Sequence, residues 1–159
     1  MRRLKGQMSK GGIKLTDVEM KYINLFQDIT EPTARERISV KDCIVDEEQG
    51  RVIFVVNEGA LGMAIGKGGR NIRLLEKMTG KKWEMVEYSE DPVKFIKNAL
   101  KPADVKEVRI TERPDGKAIA VVTVDPRTKG VAIGKNGKNA ERLRLLAKRY
   151  FQIQNVSIV

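Results

Sequence analysis

Apolar residues recur at steps of three and four along Leu15, Val18, Tyr22, Leu25 and Ile29, the period of a helix that buries one face. Thr16 and Glu19 have the spacing of a capping box at its start, and Pro32 stands beyond its end. The period then shortens. In residues 38–45 and 51–56, β-branched side chains flank Gln49-Gly50, which predicts a hairpin. Val52, Ile53, Phe54, Val55 and Val56 are apolar without a break, so this strand is expected at the centre of its sheet, covered on both faces. Asn57-Glu58-Gly59 ends the run. A short helix over 60–65, a glycine-rich turn and a helix over 70–79 follow, and Gly80 suits a left-handed helix stop. Residues 81–88 read as a third strand, with Trp83, Met85 and Val86 facing inward.

The order then repeats. Asp91 is placed to cap a helix with Pro92 at its first position and Val93, Ile96 and Leu100 as its apolar stripe, and Lys101-Pro102 ends it. Strands are expected over 105–111 and 117–124, on either side of Pro114-Asp115-Gly116. A short helix over 130–133, a second glycine turn, a helix over 138–150 and a strand over 152–159 complete the unit. Gly62 and Gly130 set an offset of 68 residues between the copies, and residues 51–56 are set parallel to 117–122. Two copies are a duplication, too few for a solenoid. The chain divides into a basic flexible tail (1–12), a first domain (13–89) and a second (90–159), each reading helix-strand-strand-helix-helix-strand, an α+β class of fold.

The repeated turns carry the chemistry. The first lies in Ile65-Gly66-Lys67-Gly68-Gly69-Arg70-Asn71-Ile72, the second in Ile133-Gly134-Lys135-Asn136-Gly137-Lys138-Asn139-Ala140. Glycine lets the backbone turn sharply and approach another backbone, and the helix that follows offers free N–H groups to an anion. A lysine in each turn adds a mobile cation. Two other glycine loops are excluded. A P-loop needs a glycine where Leu61 and Lys129 stand and a hydroxyl where Gly68 and Asn136 stand. A dinucleotide fingerprint needs a third glycine at Asn71 and Asn139.

Charge narrows the partner. A formal charge of +10 and a pI near 9.8 over 159 residues point to nucleic acid. A membrane surface is disfavoured, because the chain shows no long apolar run, signal peptide or lipidation motif. Histidine is absent, and Cys43 is alone in a strand-like stretch, read as a small buried side chain in a reducing compartment. The usual general base and the usual metal ligands are therefore missing. Asp46-Glu47-Glu48 reads as a solvated turn, so no enzyme, catalytic residue, metal or cofactor is expected. Aromatics make up 5% of the chain and fall mainly on apolar stripes, which argues against modules that stack bases on exposed rings.

With these features, each turn resembles that of the KH domain, which clamps single-stranded nucleic acid by its backbone. A helix and two strands ahead of the turn is similar to the type II KH fold, with a three-stranded sheet covered by helices. The tandem, covering nearly the whole chain from about residue 13, resembles the NusA transcription factors in their short archaeal form. Bacterial members carry, in addition, a polymerase-binding amino-terminal domain and an S1 domain, for which this chain has no room. The first turn matches the Ile-Gly-x-x-Gly-x-x-Ile pattern in full, while Ala140 replaces the closing isoleucine of the second.

The resemblance implies a cytoplasmic, monomeric, single-stranded RNA-binding protein in transcription termination or antitermination. RNA polymerase or other transcription proteins enter as partners by resemblance only. The RNA-binding residues it implies are Ile65, Gly66, Lys67, Gly68, Gly69, Arg70 and Arg73 in the first domain, and Ile133, Gly134, Lys135, Asn136, Gly137, Lys138 and Arg142 in the second. Ile72 joins Ile65 and Ile133 as a groove-floor candidate, with core packing as the competing role. Helical spacing puts Arg70, Arg73 and Lys77 on one face, opposite Leu74, Leu75 and Met78. It puts Lys138, Arg142 and Arg149 on another. The short linkage predicts a rigid pair with one RNA path. Ribosome assembly, RNA turnover, or a protein scaffold whose glycine turns are only structural are the alternative functions.

Overall fold

The computed structural model describes residues 16–159. The basic tail, residue 13 where the first domain was expected to begin, and Leu15 all lie outside them. Two compact units divide between Tyr88 and Ser89.

The first unit runs α1 (Asp17–Ile29), α2 (Pro32–Arg35), β1 (Val40–Asp46), β2 (Arg51–Val56), α3 (Leu61–Ile65), α4 (Arg70–Thr79) and β3 (Lys82–Glu87). The capping box forms at α1. The Thr16 hydroxyl accepts from the Glu19 N–H at 3.3 Å, and the Glu19 carboxylate accepts from the Thr16 N–H at 2.8 Å. Its buried face differs from the expected stripe. Ile23 and Phe26 are buried, Tyr22, Leu25 and Ile29 flank them, and Val18 is 49% exposed. A second set at the same three-and-four spacing runs one position round the helix, and that set meets the sheet. The short helix α2 was not expected; Pro32 sits in its first turn, where a fixed φ and a missing N–H cost little.

The sheet order is β1-β2-β3, with β2 antiparallel to β1 and parallel to β3. As the unbroken apolar run predicts, β2 is central and buried at every position. Its first residue, Arg51, is held by the Asp46 and Glu84 carboxylates at 3.0 and 3.2 Å. On the face toward α1 lies a ladder of rings: Phe26 and Phe54 have centroids 5.0 Å apart, Phe54 and Trp83 5.1 Å, and Tyr22 and Trp83 5.8 Å. Cys43 is buried in this cluster.

The second unit runs α5 (Pro92–Leu100), β4 (Val105–Glu112), β5 (Ala118–Val124), α6 (Lys129–Ile133), α7 (Lys138–Phe151) and β6 (Ile153–Ile158). Asp91 caps α5, its carboxylate accepting from the Val93 N–H at 3.0 Å. The buried face of α5 is Phe95, Ile96, Ala99 and Leu100, with Val93 half-buried at its margin. The sheet repeats the first, in the order β4-β5-β6 with the same strand senses. Here the central strand alternates, and Ile119 and Val121 are 37% and 39% exposed.

The ladders also correct the alignment between copies. Each antiparallel pair carries an irregularity at the same place, between Val40 and Asp42 opposite Val56 and Val55, and between Val105 and Glu107 opposite Val124 and Thr123. Val56 therefore corresponds to Val124 and Arg51 to Ile119, two residues from the pairing of 51–56 with 117–122. A pleated strand repeats every two residues, so a slip of two leaves the inward and outward pattern intact.

Candidate nucleic-acid interface

Four residues, Gly66 to Gly69, link α3 to α4. The Gly69 N–H donates to the Gly66 carbonyl at 2.9 Å, closing the turn, and α4 starts at the next residue. Gly66 has φ +85° and ψ +158°, Gly68 φ +62° and Gly69 φ +77°. The second turn copies this backbone. Gly134 has φ +80° and ψ +167°, Asn136 φ +57° and Gly137 φ +75°, and the Gly137 N–H donates to the Gly134 carbonyl at 3.0 Å. Asparagine tolerates the left-handed region better than most residues, so Asn136 can stand where the first copy has Gly68. Neither Gly69 nor Gly137 can cap its helix with a side chain, and neither helix has a side-chain cap. The Arg70 and Lys138 N–H groups close onto the Lys67 and Lys135 carbonyls, and the helices behind them turn the positive end of their dipoles toward an anion at the turn.

The side chains that fix this geometry were not among the expected site residues. Asn71, buried one residue into α4, donates its Nδ2 to the carbonyls of Ala64 at 3.1 Å and Met63 at 3.4 Å, at the end of α3. Its Oδ1 accepts from Arg70 at 3.2 Å. Asn139 repeats the tie, donating to the Val131 carbonyl at 2.8 Å. Both asparagines press against the first glycine of their turn. A Cβ on Gly66 would lie 2.9 Å from Asn71 Cγ, and one on Gly134 would lie 2.8 Å from Asn139 Cγ. The signal was present in the sequence as an asparagine at the same place in both copies.

Lys67, Gly68, Arg70 and Arg73 are exposed, and Ile65, Gly66 and Gly69 are half-buried beside them. Arg73 turns back toward the turn and donates to the Gly68 carbonyl. Ile72 is half-buried and packs against the core cluster. Met78, expected inside, is 51% exposed, whereas Leu75 is fully buried. In the second unit Lys135 and Asn136 are exposed, Ile133, Gly134, Gly137 and Lys138 half-buried, and Ala140 buried. Arg142 is the correction. It is buried, and its Nη2 donates to the Ala99 carbonyl in the last turn of α5 at 3.0 Å. It fastens one helix end within the unit and does not lie on an exposed basic face. Counting by 68 explains this, because position 142 corresponds to Leu74, an inward-leaning position of α4.

The corner after each central strand is also built differently. In the first unit the Asn57 Oδ1 accepts from the Ser39 N–H at 2.6 Å. In the second, the Asp125 carboxylate accepts from the side chain of Arg127 at 2.7 and 3.1 Å and from its N–H at 2.8 Å. These hydrogen bonds, the guanidinium's first, hold the Asp125 carboxyl below its ordinary value. Among the described residues there is no group of three or more His, Cys, Asp or Glu side chains able to hold a metal, and no helix long and apolar enough to cross a membrane.

Residues 22–94 match the KH domain model and residues 92–159 match that of the NusA-like second KH domain. The "Probable transcription termination protein NusA" of Methanocaldococcus jannaschii is 33% identical over 147 residues, which are 92% of this chain and 75% of that protein. The protein of the same name from Halobacterium salinarum is 36% identical over 146 residues, 92% of this chain and 98% of its own. This chain belongs to the NusA family. A solved structure described as "Crystal structure of APE1850" is 41% identical, with a TM-score of 0.76, and the match covers 91% of this chain and all of that one. The two units are thus consecutive KH domains, and the NusA-like second KH domain is the one that carries Asn136 and Ala140.

Proposed function

We propose that the chain is a non-enzymatic, single-stranded RNA-binding protein that acts in transcription termination or antitermination, as a cytoplasmic monomer. The observation that carries this reading is the pair of glycine turns held in one backbone conformation at the head of uncapped helices. A turn of this kind admits a sugar-phosphate backbone where a Cβ would block it, and the helix N–H groups and Lys67 or Lys135 meet the phosphates. The formal charge of +10 supports an anionic partner, and the names of the NusA relatives support the transcriptional role. Each KH domain accommodates about four nucleotides.

The test is a salt-titrated binding assay on random single-stranded RNA, matched DNA and duplex RNA. The double variants Lys67→Asp/Gly68→Asp and Lys135→Asp/Asn136→Asp are compared with the parent, with circular dichroism as a check on the fold. Preference for single-stranded RNA and its loss in the variants is the expected result. Equal binding to all three nucleic acids, unmoved by the substitutions, would sink the proposal.

A further inference from the structure

The two turns share a backbone but not the charges on the helices behind them. In α4 the exposed charged positions after the turn are Arg70, Arg73 and Lys77. At an offset of 68 the same positions of α7 are Lys138, Glu141 and Leu145, and both Glu141 and Leu145 are exposed. Counted with the turn lysine, the first unit offers four cations along this path. The second offers two cations, a carboxylate and an isobutyl group.

Geometry separates Arg73 and Glu141 further. Arg73 donates to the carbonyl of Gly68, the third residue of its turn, so its charge is held against the place where a backbone would pass. A guanidinium has five N–H donors, which leaves others for a phosphate. Glu141, ionised, can only accept and cannot brace the Asn136 carbonyl in the same way. It stands instead as a negative charge one helical turn from the Gly137 N-cap. Of the other cations nearby, Arg127 is bound to Asp125, Arg144 donates its Nε to the Val156 carbonyl at 3.1 Å, and Lys129 opens α6 at the end away from the turn.

We infer that the two KH domains divide the work: the first clamps phosphates through Lys67, Arg70 and Arg73, whereas the second, with Glu141 beside its turn, holds RNA with little electrostatic grip. This rests on the RNA-binding reading and deepens it. Arg73 acts both as a phosphate contact and as a positioning residue for the turn. The salt dependence of binding then belongs mainly to the first domain.

The experiment measures affinity for a random single-stranded RNA against salt for the parent chain and for Arg73→Gln, Arg73→Glu, Glu141→Gln and Glu141→Arg. All four substitutions are at exposed positions, and thermal melting checks each fold. Arg73→Gln is expected to weaken binding about tenfold, the loss of one charge-assisted contact. It should also flatten the log–log salt slope by about 0.7. Arg73→Glu should weaken it further. Glu141→Gln should tighten binding slightly, and Glu141→Arg about three- to tenfold with a slope steeper by about 0.7. If the Arg73 variants bind like the parent while Lys67→Asp/Gly68→Asp abolishes binding, the division of labour is overturned and the RNA-binding reading stands. If the parent does not bind single-stranded RNA, both fall.

Discussion

At the third position of the glycine turn the first domain has Gly68 at φ +62° and the second has Asn136 at φ +57°, and the chain passes through the same shape with different side chains. At the first position no such freedom exists. Gly66 and Gly134 combine positive φ with ψ near 160°, a region essentially confined to glycine, and each also faces an asparagine at less than a normal Cβ contact. The difference teaches which parts of the turn are set by backbone geometry and which are open to electrostatic tuning. Glycine is required where the turn meets its asparagine; the helix face behind it can be basic or mixed.

The largest effect should come from breaking the shared part. Gly66→Ala and Gly134→Ala are each expected to destabilise their own domain by about 2–3 kcal/mol, from backbone strain with the side-chain clash added. Urea unfolding measures this, with the fluorescence of Trp83, the sequence's one tryptophan, reporting the first domain and amide NMR signals the second. Tolerance of either alanine would show that the two turns do not share the constraint.

A smaller effect should separate the ties. Asn71→Ala frees the Met63 and Ala64 carbonyls and Asn139→Ala the Val131 carbonyl in the preceding short helix, at a cost of about 1–3 kcal/mol each. Asn71 is the more buried of the two, so its loss should lie nearer the upper end. The reverse order in the same unfolding assay would mean that burial does not decide the strength of the tie.

The smallest concerns the corner where Asn57 is matched by Asp125. Arg127 holds the Asp125 carboxyl below its ordinary value, so the native state favours the ionised form. The stabilisation is present above the unfolded value of about 3.9 and is lost as pH falls through the lower native one. Asp125→Asn should therefore melt below the parent at neutral pH, and the gap should close as the pH falls below about 4. A constant gap across that range for Asp125→Asn would remove the ionised pair from the account.

Much of this was legible in the residues. The helix over 70–79 and its Gly80 stop follow from spacing and a single glycine, because both are local properties. The central place of β2 follows from an unbroken apolar run. What was not legible depends on phase and on partners. The α1 stripe and its neighbour have the same period, and only the sheet decides between them. A two-residue slip between β2 and β5 preserves alternation, so periodicity cannot detect it. Arg142 was placed outside by counting along its own helix, yet a long side chain whose guanidinium finds the Ala99 carbonyl can be buried. Of the candidate site, the turns and the exposed Lys67, Arg70 and Arg73 could be read from the motif. The ties made by Asn71 and Asn139 needed the fold, since they run back to a helix seven or eight residues earlier.

In each domain the central strand runs parallel to the strand that follows it, so the chain must travel the length of the sheet again before pairing, and it does so through the glycine turn. The antiparallel hairpins carry no such duty. Their connections already differ, spanning residues 47–50 in one copy and 113–117 in the other. A dye, an affinity handle or an inserted peptide is best placed at the second of these tips, where Asp115 and Gly116 are exposed and the return path through the glycine turn is left alone.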